Sequence, residues 1–332
     1  MSIYKAVLQG ARLILLATAS SLISLAGVEA GLAQAWPTRT ITAIVPFGAG
    51  SASDVMPRVT LDQVSTQVGR PIVVENRPGA GGSIGANVVA KAAPDGYTML
   101  ASGALATAHG LYPKLPYNTL QDFAPVVSLG QQPLVLVSAP SKGLKTLDDL
   151  IAAAKARPGS FNFASAGIGS ASHFAAERLR ITAGFEAQHI PFRGATEALA
   201  ETVAGRVDFF FLPIAPALSL IKDGKLDALA ISAMKRATAL PQVPTTAEAG
   251  LQNSAYDFWV GIFLPAQTPR DIVVRLHQET NKALQVPSVQ ERLAVLGVEP
   301  MPMSLEGLDK YFRDDVEANV RLVKAANIVA QQ

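Results

Sequence analysis

The chain has 332 residues, 49% of them hydrophobic and 16% charged, and a formal net charge of +2. That balance describes a packed globular protein and excludes both a disordered chain and the basic footprint of a nucleic-acid binder. The length allows two domains or one large α/β domain, with two as the starting expectation, and the zero cysteine count excludes disulfides and a lipid-anchored N-terminal Cys.

Lys5 and Arg12 precede the apolar stretch "LILLATASSLISLAGV", which leads to Ala33-Gln34-Ala35 just before Trp36. This is the order of a secretory signal, predicted over residues 1–35 with cleavage near Ala35, or after Ala30 as the other site. The apolar run is short and broken by Ser and Thr, which argues against a permanent membrane anchor. The mature chain is expected in the periplasm.

From Arg39 the pattern predicts strand "TITAIVPF", a Gly loop, helix "DVMPRVTLDQVSTQVG", strand "PIVVEN", a Gly-rich turn, helix "IGANVVAKAA" and strand "YTMLAS". This βαβαβ series implies a parallel sheet covered by helices. "HGLYPKLPYNTLQDFAPVVSLGQQ", rich in Pro and turn residues, reads as a crossing between domains. A second series starts near Pro133: strand "PLVLVSA", helix "TLDDLIAAAKA", strand "FNFASA", a Gly loop, helix "ASHFAAERLRITA", strand "AQHIPF", helix "ATEALAETVAG", strand "RVDFFFL", helix "APALSLIKDG" and strand "KLDALAIS". "LPQVPTTAEAGLQNSAYDF" reads as a second crossing, before strand "WVGIFLPA". Helices predicted from about 269 to 286 and from 305 to 326 are too small to bury a core alone and are assigned to the first unit. The predicted boundaries are 36–136 plus 257–332 for lobe 1 and 137–256 for lobe 2.

One pattern, G-x-G-S-A-S, occurs twice, as "GAGSASD" from Gly48 to Asp54 and as "GIGSASH" from Gly167 to His173. Each copy follows a predicted strand and opens a predicted helix. Ligands of open α/β sheets bind at that edge, and helix N-termini favour anions. Ser53 and Ser170 are candidate N-caps or donors, and Asp54 supplies a first-turn charge that suits the helix dipole. Either loop alone reads equally well as a capped turn. Two of them at equivalent strand ends of two lobes point to one small anion gripped from both sides.

Other chemistries fit less well. A dinucleotide site would use Gly48, Gly50 and Glu75, but Ser53 stands where the third glycine belongs and the spacing from Gly50 to Glu75 is too long. "GGSIG" from Gly81 to Gly85 formally matches a nucleophile elbow, which makes an exported esterase using Ser83 the alternative function. "NRPGA" separates the preceding strand from that motif, so Ser83 is expected to cap a helix instead. No metal is expected, because there is no Cys and no His pair at i, i+4 spacing. His173 reads as a contact to ligand or, by preference, as a hydrogen-bonded strut for its loop.

Taken together, "WPTRTITAIVPFGAGSASDVMPR", "PIVVENRPGAGGSIGA", "KAAPDGYTML", "LQDFAPV", "FASAGIGSASH", "IPFRG", "PTTAEAGL" and "GIFLPAQTP" resemble the extracytoplasmic solute receptors of tripartite tricarboxylate transporters, the Bug receptors. The resemblance spans nearly the whole mature chain. It implies an α/β type II periplasmic binding protein fold, with two Rossmann-like lobes joined by a two-strand hinge and closing on a small organic carboxylate. It also implies a non-catalytic role, delivery to the membrane permease subunits, and no cofactor.

In such receptors, backbone amides, hydroxyls and water from one loop per lobe hold the carboxylate. Here this maps onto Phe47, Gly48, Ala49, Gly50, Ser51, Ser53 and Asp54 in one lobe and onto Gly167, Ile168, Gly169 and Ser170 in the other. Ser102 and Gly103, Arg193 and Gly194 of "PFRG", and Asp208 of "GRVD" complete the implied site. The chain departs from the family pattern at Gly50-Ser51, where many members carry Gly-Gly, and at Phe192, where Tyr is common. Surface composition predicts a monomer.

Overall fold

The structure is a computed structural model that describes residues 36–329 other than Pro113 and Asp257; its packed body begins at Arg39. The predicted signal segment, 1–35, lies outside the described residues. Among the described residues, no helix is long and apolar enough to cross a membrane.

The chain opens with β1 (Ile41–Val45), α1 (Ala52–Val68), β2 (Ile72–Asn76), α2 (Ser83–Ala90), β3 (Thr98–Ser102), α3 (Leu105–Leu111) and β4 (Phe123–Gln132). It continues as β5 (Leu134–Ser138), α4 (Leu147–Ala156), β6 (Phe161–Ser165), α5 (Ala171–Ala183), β7 (Ala187–Pro191), α6 (Ala195–Val203), β8 (Phe209–Pro213), α7 (Ile214–Lys222) and β9 (Asp227–Ile231). β10 (Phe258–Pro265), α8 (Arg270–Leu284), α9 (Pro287–Val295) and α10 (Leu305–Ala326) complete it.

Two five-stranded sheets result, ordered β2-β1-β3-β10-β4 and β7-β6-β8-β5-β9. Their plans are the same. β1 lies between parallel partners β2 and β3, β6 lies between parallel partners β7 and β8, and in each sheet the fourth strand runs antiparallel to both its neighbours. The two Gly loops therefore leave topologically equivalent strands. Burial on both faces explains why "FFF" in β8 is continuous rather than alternating. Phe209 and Phe211 enter the core with Phe163 and Phe174, while Phe210 enters the opposite core with Ala198 and Ile214.

Two sequence expectations need correction. The stretch read as a first crossing contains the end of α3 and all of β4, the sheet's outer strand. Pro125 and Gly130 interrupt its pattern; Pro is tolerated there because an outer strand leaves one side unpaired. The chain changes sheets at Pro133, since β5 pairs with β8 and β9 from Leu134 onward. A boundary at 136 falls inside that strand. In addition, the segment after α8 forms a separate helix, α9, which has Pro287 at its start.

The second crossing, Ser232 to Tyr256, is tied to the first: the Ser232 amide donates to Leu134 O (2.8 Å) and its hydroxyl to Tyr256 O (2.9 Å). A further strap forms where Gln131 and Glu299 exchange backbone hydrogen bonds (3.0 and 2.8 Å) and Glu299 Oε1 accepts the Thr238 amide (3.2 Å). α8 packs on α1 and β4, and α10 packs on α3 and β4 and also reaches α5.

Candidate functional site

The two hexapeptides match at the second glycine and the serine after it but not at the first glycine, where Gly167 has a φ of 116° and Gly48 does not take a positive φ. Gly50 and Gly169 have φ of 80° and 82°, the left-handed region that only glycine enters without strain. The next residues, Ser51 (φ −68°, ψ 160°) and Ser170 (φ −69°, ψ 159°), are the N-caps of α1 and α5. Ser51 N donates to Gly48 O (3.3 Å) and Ser170 N to Gly167 O (3.1 Å). Ser170 is thus the cap expected, whereas in the first loop the cap is Ser51; Ser53 lies buried inside the first turn of α1. A helix leaves its first amides without intrahelical acceptors, and its positive end adds to the field, so each loop presents donors to an anion.

Each loop is pinned from beneath by the side chain four residues past its second glycine. In the first, Asp54 Oδ2 accepts the Gly50 amide (2.8 Å). In the second, His173 Nδ1 accepts the Gly169 amide (3.2 Å). Asp54 also accepts from Arg58 Nε (2.9 Å) and Asn76 Nδ2 (2.8 Å), and the same Asn76 nitrogen reaches Phe47 O (2.9 Å). Burial works to raise the Asp54 pKa, but hydrogen bonds from Arg58, Gly50 and Asn76 together with the Arg58 charge outweigh it and hold the carboxyl below its usual range. This carboxylate is 2% exposed, and both its oxygens are engaged in bracing the loop.

Ser102 and Gly103 lie at the carboxyl end of β3, beside the first loop in register with β1. Ser102 Oγ accepts the Ala104 amide (3.0 Å), which leaves its O–H to donate. A Cβ on Gly103 would lie 2.1 Å from Trp259 O, so a close backbone approach requires glycine. Arg193 and Gly194 follow β7, whose end pairs with the end of β6 (Ser165↔Pro191). Phe192 O is the nearest atom, at 3.4 Å, to a Cβ built on Gly167, and Arg193 is exposed at the same edge.

The two lobes meet at this edge. A Cβ on Gly169 would approach Leu111 Cδ1 of α3 to 2.7 Å, and one on Gly81 would approach the Tyr112 hydroxyl to 2.9 Å. A Cβ on Gly82 would in turn lie 3.3 Å from Pro46 and 3.5 Å from the Phe47 ring. A continuous line of contacts therefore joins the first loop, the 79–82 turn, the end of α3 and the second loop.

The remaining candidates lie elsewhere or are spent. Asp208 precedes β8 and sits level with Asn162, at the opposite end of the parallel strands from the second loop; its carboxylate accepts from Lys142 Nζ (2.8 Å) and the Asn162 amide (2.8 Å). It braces that far edge. Ser83 begins α2 and is 7% exposed. The hydrogen bonds of His173, His189 and His277 go to Gly169, Ser165 and Val126 with Asn281, and none goes to Ser83. Glu75 pairs with Arg77. Among the described residues no cluster of three or more His, Cys, Asp or Glu is arranged to hold a metal ion.

Arg58, Asn76, Ser165 and His189 escaped the sequence reading. Asp54 and His173 occupy the same place in the repeat, so their shared role had a signal in the aligned hexapeptides. Asn76 and His189 are brought under the loops only by strand register (Val45↔Asn76, Phe163↔His189), which no local motif encodes.

Comparison with known proteins places this geometry in a family context. The model of the tripartite tricarboxylate transporter family receptor (TctC) matches residues 56–328. BugT of Bordetella pertussis is 38% identical over 307 residues, covering 91% of this chain and 94% of BugT. Among solved structures, MatC from Rhodopseudomonas palustris with bound malate matches with a TM-score of 0.74 and 33% identity, over 87% of this chain and 100% of that one. R. palustris Rpa4515 with adipate matches with a TM-score of 0.77 and 29% identity, over 89% and 99%.

Proposed function

Since the chain belongs to the receptor family of tripartite tricarboxylate transporters, we propose that its own ligand is a small dicarboxylate, bound where the Gly48–Ser51 and Gly167–Ser170 loops converge. Members of this family are solute-binding receptors rather than enzymes, and the esterase reading of Ser83 has no support. The observation that carries the ligand reading is the pair of loops: two turns that match at the second glycine and the serine after it, each at a helix N-terminus and joined through Leu111 and Tyr112. The malate and adipate of the two related structures are dicarboxylates, in keeping with donors on both sides of one acid.

Hydrogen bonds to a charged carboxylate contribute roughly 1.5–3 kcal/mol each, so several from two loops suffice without an arginine clamp. Ser102, Gly103, Arg193 and Gly194 complete the proposed rim. Asp54 and Asp208 are left out of direct contact. Residues 36–132 with 258–329 form the first lobe and 134–231 the body of the second. Export with cleavage near Ala35, action as a monomer in the periplasm and delivery to permease subunits complete the proposal.

A thermal-shift panel of mono-, di- and tricarboxylates, amino acids and aromatic acids tests it. An acid at 100 times its dissociation constant stabilises the folded state by about 2.7 kcal/mol, read as a raised melting temperature. Stabilisation by dicarboxylates but not by monocarboxylates or neutral analogues is expected. A ligand-stripped preparation that responds to no carboxylate would remove the reading.

A further inference from the structure

Beneath the second loop lies a ring column, buried at Phe163 and His173 and half-buried at His189, that the binding reading does not use. His173, on α5, and His189, on β7, stack face to face with ring centroids 3.9 Å apart and planes 10° from parallel, and His189 stacks in turn on Phe163 at 4.9 Å. His189 Nε2 shares a 2.6 Å hydrogen bond with Ser165 Oγ, and that hydroxyl also accepts the Gly167 amide (3.1 Å). The Gly169 amide donates to His173 Nδ1, which must therefore be unprotonated. Both flanks of the loop's turn thus rest, directly or through Ser165, on one imidazole stack.

Burial leaves this stack neutral, even with a carboxylate beside it. On α5 itself, Glu177 Oε1 lies 3.9 Å from His173 Nε2, and its other oxygen is bound by Arg180 at 2.6 Å. β6 and β8 carry no ionisable residue, and on β7 the only one is His189. On α10, packed against α5, Asp315 accepts from Trp259 and Asn319 and feels Arg178. Burial, then His189 and Arg180, pushes the His173 pKa down to about 3, and burial pushes that of His189 down to about 4.

The first loop shows what His173 does. There Asp54 accepts the Gly50 amide through an oxygen attached, like Nδ1, to Cγ; its charge is offset by Arg58. Among the described residues no cation is hydrogen-bonded or ion-paired to Nδ1 of His173. We infer that His173, seated on His189, is a positioning residue for ligand binding: it sets the second loop by accepting the Gly169 amide while placing no negative charge beneath a loop that must hold an anion. This rests on the proposed carboxylate site for its binding arm but not for its structural arm.

Three substitutions separate geometry, charge and bulk. His173→Asn keeps an acceptor on Cγ and stays neutral. His173→Asp keeps the acceptor and adds a buried carboxylate beside Glu177. His173→Leu fills space and accepts nothing. Amide hydrogen exchange at Gly169, measured without ligand, is expected to remain slow in the Asn variant and to accelerate at least tenfold in Leu. Malate and adipate titrations at neutral pH are expected to give affinities within about threefold of wild type for Asn and losses of tenfold or more for Leu.

The Asp variant, if folded by melting temperature, is expected to protect Gly169 yet bind the dianions at least tenfold more weakly. Gly169 exchange in the folded Leu variant equal to wild type overturns the inference, whether or not either acid binds. Failure of both acids with wild type, alongside fast Gly169 exchange only in Leu, overturns the ligand reading and upholds the positioning role. Loss of affinity in Asn at unchanged Gly169 protection would show that imidazole itself, rather than its acceptor, is required, and would also overturn the inference.

Discussion

Asp54 and His173 do the same mechanical work with opposite acid chemistry, and pH separates them. The folded pKa of Asp54 is lowered, so its contribution to stability is present above the unfolded value of about 3.9 and is lost as pH falls through the folded one. His173 and His189 are lowered to about 3 and about 4 from an unfolded value near 6.5. As pH falls below about 6.5 the unfolded chain takes up protons that the folded chain refuses, so stability declines towards pH 4, by up to ~1.4 kcal/mol per pH unit for each imidazole. Glu177, raised by burial against the opposing pull of Arg180, works in the other direction and is common to all variants of the pair. Urea midpoints of wild type and of the double variant His173→Asn, His189→Asn should therefore converge as pH drops from 6.5 to 4. Parallel acid profiles would show that the stacked imidazoles titrate as free histidines do.

At the scale of elements, the two loops share the glycine–serine turn into the helix but not the cap hydrogen bond. Ser170 Oγ accepts the His173 amide (3.3 Å) and donates to Gly167 O (2.7 Å), whereas Ser51 Oγ is buried and finds no hydrogen-bond partner among the described residues. Removing a working N-cap costs about 1 kcal/mol, so Ser170→Ala should lower stability by that order while Ser51→Ala leaves it nearly unchanged. At the proposed carboxylate site this hydroxyl is available to the ligand, so Ser51→Ala should weaken dicarboxylate binding by about 1.5–3 kcal/mol. Equal melting temperatures and equal affinities for the two variants would contradict both halves. The sequence carried much of this: the strand–loop–helix order, the boundaries of α5 and α10, and the twin placement of the loops were legible because periodicity and glycine are local signals. β4 was hidden because Pro125 and Gly130 mask an outer strand paired across more than a hundred residues of chain. The misplacement of Asp208 has the same origin, since which end of a strand faces the site is fixed by the parallel pairing of β6 and β8.

For the whole molecule, the question is whether two lobes with one plan close on one ligand. The second loop already touches Leu111 of the first lobe, Leu322 of α10 packs into the second lobe's core, and the two crossings are cross-tied by Ser232 and strapped by Glu299. Ligand favours closure only through contacts that differ between open and closed states, so both loops must engage the acid for the equilibrium to shift. Because the natural chain contains no cysteine, Ala49→Cys and Ile168→Cys, at exposed and partly buried loop tips, provide a thiol pair free of background. A short bis-maleimide should join them faster when a stabilising dicarboxylate saturates the receptor than in its absence, while a control pair with one thiol moved to Val73, on the outer strand β2, should show no ligand effect. Equal cross-linking with and without bound acid would mean that the loops do not approach on binding, and that the ligand is held by one lobe alone.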